Sequence, residues 1–170
     1  MSDHTNDDFE IRPTTQDLTG GQVAHIGFSH VAMTLAERSL MLVPTAGHRR
    51  RGPAGLTQSV GQLRRIVNEL MARAITTDLF DGADWPEIAA ALGMDEDVAY
   101  YQFGHLDSRH MADDPQGVWD SLRPNCVAPI HDSCSDDPSE VARHLDDRYH
   151  RYADPHENAP VPRQAVTAGL

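Results

Sequence analysis

The sequence predicts a mainly α fold, a trihelical core with additional N- and C-terminal helices and disordered tails. Three observations predict it. Apolar residues recur at helical spacing in several segments, most regularly at Leu56, Val60, Leu63, Val67, Leu70 and Ala74. Start and stop signals bracket those segments, with Asp84, Asp95 and Asp137 placed as caps and Pro44 and Asp81-Gly82 as stops. No stretch alternates apolar and polar residues as a half-buried strand does.

In chain order, residues 1–27 are polar and acidic, hold Pro13 and a Gly20-Gly21 pair, and read as a disordered segment. Ser29 is placed to cap a first helix with Val31, Ala32, Leu35 and Leu42 on one face, ended by Pro44. A breaker-rich loop follows and carries Arg49, Arg50 and Arg51. The spacing 4, 3, 4, 3, 4 from Leu56 to Ala74 predicts a long helix. Ile66, Met71 and Ile75 widen its stripe, so the helix is expected to pack in a globular core. Residues 28–104 then make the core, and 105–152 a loop-rich helical extension. In that extension Asp114-Pro115 starts a helix with Val118, Trp119 and Leu122. Asp137-Pro138 starts another with Val141, Leu145, Tyr149 and Tyr152. A Pro/Ala-rich tail, 153–170, reads as disordered.

The chain has 170 residues, of which 39% are hydrophobic and 24% charged, the balance of an ordinary globular protein. No apolar run reaches the ~20 residues of a membrane span, and Met1-Ser2-Asp3-His4 does not begin an export signal. With only Cys126 and Cys134, a cytoplasmic protein is expected. The net charge of −12 opposes nucleic-acid binding in total but not in distribution. Between Ala36 and Ala74 seven arginines face only Glu37 and Glu69, whereas Asp78 to Asp97 holds seven acids and no cation.

Residues 85–104 carry the most information. Asp84 caps, Pro86 sits in the first turn, and Ile88, Ala89 and Leu92 face inward. Gly93 supplies the left-handed residue that ends one helix, and Met94 fills the corner. Asp95 caps a second helix with Val98, Ala99 and Phe103 inside and Tyr100 and Tyr101 outside. A small residue four before the glycine allows the helices to cross closely. From Gly82-Ala83-Asp84-Trp85 through Met94, and on to Ala99 and Phe103, the stretch resembles the helix-turn-helix of actinobacterial regulators and of region 4 of sigma factors. The resemblance covers about 25 residues and implies a DNA-binding trihelical unit with the long helix as third member. One departure bears on function: Asp95, Glu96 and Asp97 stand where such readers place Ser, Thr, Arg or Gln, and Gln102 stands where Arg is frequent.

No P-loop, G-x-S-x-G or H-E-x-x-H motif is present, so no enzyme is expected. Cys126, His131 and Cys134, and the pairs His105/His110 and His144/His150, lack metal-ligand spacing. Neither a metal nor another cofactor is expected. Two functional readings stand side by side. In the first, a regulator binds double-stranded DNA through Arg49, Arg50, Arg51, Arg64 and Arg65 on phosphate and through Tyr100, Tyr101 and Gln102. A homodimer is possible in this reading, through the long helix or the Val141–Tyr152 helix. In the second, a protein-interaction module docks Asp95, Glu96 and Asp97 on a basic partner. The arginines have a plainer reading as a solvated face or as partners of nearby acids.

Overall fold

The computed structural model describes residues 17–43, 54–122 and 135–152. The tails 1–16 and 153–170, Arg49–Arg51, and the Cys126, His131 and Cys134 stretch lie outside them. Among the described residues are six α-helices and no strand: α1 (Gly20–Leu40), α2 (Gly55–Phe80), α3 (Trp85–Leu92), α4 (Glu96–Phe103), α5 (Pro115–Leu122) and α6 (Pro138–Tyr152). The fold is mainly α.

α1 begins at Gly20, well before the start expected after Ser29. A capping box explains this: the Gln22 amide donates to Thr19 Oγ1 (3.2 Å), and the Thr19 amide donates to Gln22 Oε1 (2.8 Å). The glycine pair is a contact surface rather than a breaker. The Gly20 amide donates to the Ala112 carbonyl (3.1 Å), and a Cβ there would stand 3.0 Å from that oxygen and 3.1 Å from Phe80 Cε1. Val23, Ala24, Ile26, Gly27, Val31 and Thr34 then form the buried face.

α1 and α2 run antiparallel, since Gly20 lies against Phe80 and Gly27 beside Arg73. A first apolar core joins Val23 and Ile26 to Val118, Trp119 and Leu122 of α5 and to Val141, Ala142 and Leu145 of α6. A second joins Ile75 and Leu79 of α2, Ile88 of α3 and Phe103 of α4, with Met71, Trp85, Leu92 and Met94 packed around them. α2 serves both, because Phe80 reaches the first core while Leu79 faces the second.

The expected stripe on α2 is corrected. Its buried side is Ile66, Glu69, Arg73, Ile75, Thr76, Thr77 and Leu79, whereas Leu56, Val60 and Val67 are exposed. Glu69, Arg73 and Thr76 each find a partner at these inner positions, whereas Thr77 Oγ1 has none among the described residues. Arg73 pairs with Glu69 (3.1 Å) and donates to the Leu122 carbonyl, one of the orphan acceptors at the end of α5. A bidentate pair between Arg148 of α6 and Glu37 of α1 (2.6 and 3.1 Å) closes the same side of the molecule.

The C-terminal helices start where the caps predict. The Gly117 amide donates to Asp114 Oδ1 (2.9 Å) and the Ser139 amide to Asp137 Oδ1 (2.8 Å). Val118, Trp119, Leu122, Val141 and Leu145 are buried, and Tyr149 is exposed.

Candidate functional site

The segment from Asp84 to Gly104 builds a helix, a tight turn and a second helix against α2. Its entry is locked by a reciprocal cap: the Glu87 amide donates to Asp84 Oδ1 (3.0 Å) and the Asp84 amide to Glu87 Oε2 (3.1 Å). α3 ends at Gly93 with φ 69° and ψ 34°, a conformation a side chain would strain. The Gly93 amide donates to the Ala90 carbonyl (3.1 Å) and the Met94 amide to the Ala89 carbonyl (3.0 Å), so the chain reverses within three residues. Buried Ala89 and Ala99 let the two helices approach, and Phe103 anchors α4 in the second core.

Two expectations about α4 are corrected. Asp95 occupies the cap position with extended backbone but makes no side-chain cap bond. Val98, expected inside, is 51% exposed, because Ala99 and Phe103, four residues apart, define the inner face and Val98 lies a third of a turn away.

The outer surface of α4 presents rows of residues four apart: Glu96 with Tyr100, Asp97 with Tyr101, and Val98 with Gln102. Tyr101 is 92% exposed and extends into solvent. Tyr100 is held by an edge-on contact with Trp85 (centroids 5.3 Å, planes at 90°), which ties the start of α3 to the middle of α4. Glu96 and Asp97 sit in the first turn, where they favour the positive end of the helix dipole.

Tyr100, Tyr101 and Gln102 are all exposed, at successive steps of about 100° around α4. Arg64 and Arg65 are exposed on α2, about 15 Å along the helix from Ile75, where α2 meets the second core. Among the described residues neither arginine carries an ion pair. Other arginines are engaged: Arg73 and Arg148 as above, and Arg109 with Asp107 (2.6 Å), whose carboxyl it holds below the usual carboxylate range. No Arg or Lys occurs between Arg73 and Arg109, so the exterior of α3 and α4 is acidic.

Sequence reasoning missed Arg73 and the exposed apolar side of α2. The first carries no signal in apolar periodicity. The second was legible in the strict 3.5-residue repeat, which marks a seam between helices rather than a wide core face.

Among the described residues no group of three His, Cys, Asp or Glu is placed to hold a metal ion, and no helix is long and apolar enough to cross a membrane. Neither a protein-family model, nor a curated protein, nor a solved structure matches this chain.

Proposed function

We propose that this protein is a non-catalytic, cytoplasmic transcriptional regulator that binds double-stranded DNA through α3, the Gly93 turn and α4. The observation that carries the reading is the pairing of a close-packed turn (Ala89, Gly93, Ala99) with an outward α4 surface of Tyr100, Tyr101 and Gln102. Cation is supplied from α2 by Arg64 and Arg65 and from the segment that precedes α2 in sequence by Arg49, Arg50 and Arg51. Asp95, Glu96 and Asp97 keep the first turn of α4 away from phosphate. The contact is made by its second turn, through aromatic stacking and the Gln102 amide.

The test is fluorescence polarisation of a labelled duplex over a range of salt. Five arginines on phosphate give a log–log slope of about −4.5, and Arg64→Ala with Arg65→Ala lowers its magnitude by about 2. Absence of any complex at low salt overturns the reading.

The unbroken acidity of α3 and α4 favours a second reading, a protein-interaction module that docks the Asp95–Asp97 turn on a basic partner. Replacing all three acids by Lys separates the two. DNA binding is retained or strengthened under the first reading, and capture of the basic partner is abolished under the second.

A further inference from the structure

We propose that α2 pairs with α2 of a second copy of this chain in a parallel, two-stranded seam formed by Leu56, Val60, Leu63, Val67 and Leu70. These residues form one face of α2 about 21 Å long. Leu56, Val60 and Val67 are 61%, 56% and 46% exposed, although all three are branched aliphatic side chains. The antiparallel register, with Gly20 against Phe80 and Gly27 beside Arg73, puts Leu40 level with Val60. Exposed Leu40, Met41 and Val43 therefore extend the same apolar end of the molecule. An apolar surface of this kind is uncommon on a monomer.

The pattern identifies the occupant. Spacing of 4, 3, 4, 3 puts Val60 and Val67 at the a positions of a heptad and Leu56, Leu63 and Leu70 at the d positions. Valine at a with leucine at d is the combination that favours two parallel strands. The flanks are compatible with a copy of itself. In a parallel pair Ser59 faces Arg64 of the other copy, so no like charges meet there, while Ile66 stays buried in its own subunit and Met71 packs on the second core. The chain's own remaining segments do not supply a matching face. Residues 1–16 carry only Phe9 and Ile11 beyond Met1, 123–134 only Val127 and Ile130 beside the two cysteines, and 153–170 only Val161, Val166 and Leu170. None repeats at heptad spacing. Because α3 and α4 pack on Ile75 and Leu79, a parallel seam holds both copies of that unit at one end of the dimer.

Sedimentation equilibrium of the full chain under reducing conditions tests the seam. The expected mass is twice the 18.8 kDa of one chain. Val60→Glu with Val67→Glu, at positions open to solvent in the single chain, weakens association by at least about a hundredfold and leaves the circular dichroism spectrum unchanged. With Cys126→Ser and Cys134→Ser in place, Leu56→Cys oxidises to a covalent dimer, since like d positions adjoin only in the parallel arrangement. A monomer at high micromolar concentration, an assembly larger than two, a dimer indifferent to the two glutamates, or a dimer that Leu56→Cys does not cross-link each overturns the proposal.

Discussion

Replacing Arg73 by Ala tests the buried polar joint on which the two cores hang. Its side chain is 7% exposed, and one terminal nitrogen donates both to Glu69, whose side chain is 4% exposed, and to the carbonyl that ends α5. Truncation removes the cation beside a buried carboxylate and the donor from a buried carbonyl. Breaking such a pair from one side costs about 3–5 kcal/mol. A domain of this size holds about 5–15 kcal/mol in all, so the variant is expected to be marginal. Arg73→Lys keeps the charge but loses the forked geometry, and is expected to cost about 1–2 kcal/mol. Glu69→Met with Arg73→Met removes both charges at similar volume and is expected to recover most of the loss. Urea unfolding followed by far-ultraviolet circular dichroism gives all three values. A cost below about 1 kcal/mol for Arg73→Ala, or a double variant no better than the single, would refute the reasoning.

Stability should also depend on His30 and on two glycines in opposite directions. Burial first, then the charges of Arg148 and Arg73, push the His30 imidazole down to about 4 from 6.5, and its Nδ1 has no hydrogen-bond partner among the described residues. Because the folded value is depressed, the contribution is complete above about pH 6.5 and is lost as pH falls towards 4. It amounts to about 3 kcal/mol at most. Urea midpoints of the wild type should therefore fall more between pH 7 and pH 4 than those of His30→Gln; parallel curves would dismiss this role. Gly20→Ala is expected to destabilise by about 1–2 kcal/mol, since its Cβ would press on Ala112 and Phe80. Gly61→Ala, with nothing within 4 Å of its Cβ, is expected to stabilise by about 0.5–1 kcal/mol. Thermal unfolding of the two variants decides the signs.

The parts of this fold governed by local chemistry are legible in the sequence. Asp84 with Glu87, Gly93, Asp114-Pro115 and Asp137-Pro138 set helix ends through bonds within four residues, and the structure has helix ends at each. The start of α1 was written equally plainly in Thr19 and Gln22, but the Gly20-Gly21 pair outweighed it. What those glycines do depends on Phe80 and Ala112, distant in sequence, and no local rule reveals that.

The face of α2 failed for a related reason. Apolar periodicity ranks Val60 and Val67 above Glu69 and Arg73, yet the inner positions go to the polar pair because α5 ends beside them. At the candidate site, inward Ala89, Ala99 and Phe103 followed from spacing alone, whereas Val98 did not, since three-residue and four-residue steps compete on so short a helix. The outward tyrosines followed from the same spacing. Their edge-on link to Trp85 depends on how α3 crosses α4, which spacing does not specify.

Amide and side-chain chemical-shift mapping of the full chain during titration with a duplex tests most directly whether α4 and α2 meet DNA. The predicted result is saturable shifts at Tyr100, Tyr101, Gln102, Arg64 and Arg65, with residues of the first core such as Val118 and Leu145 unmoved. A spectrum unchanged at low salt, or shifts confined to residues away from α2 and α4, would contradict it.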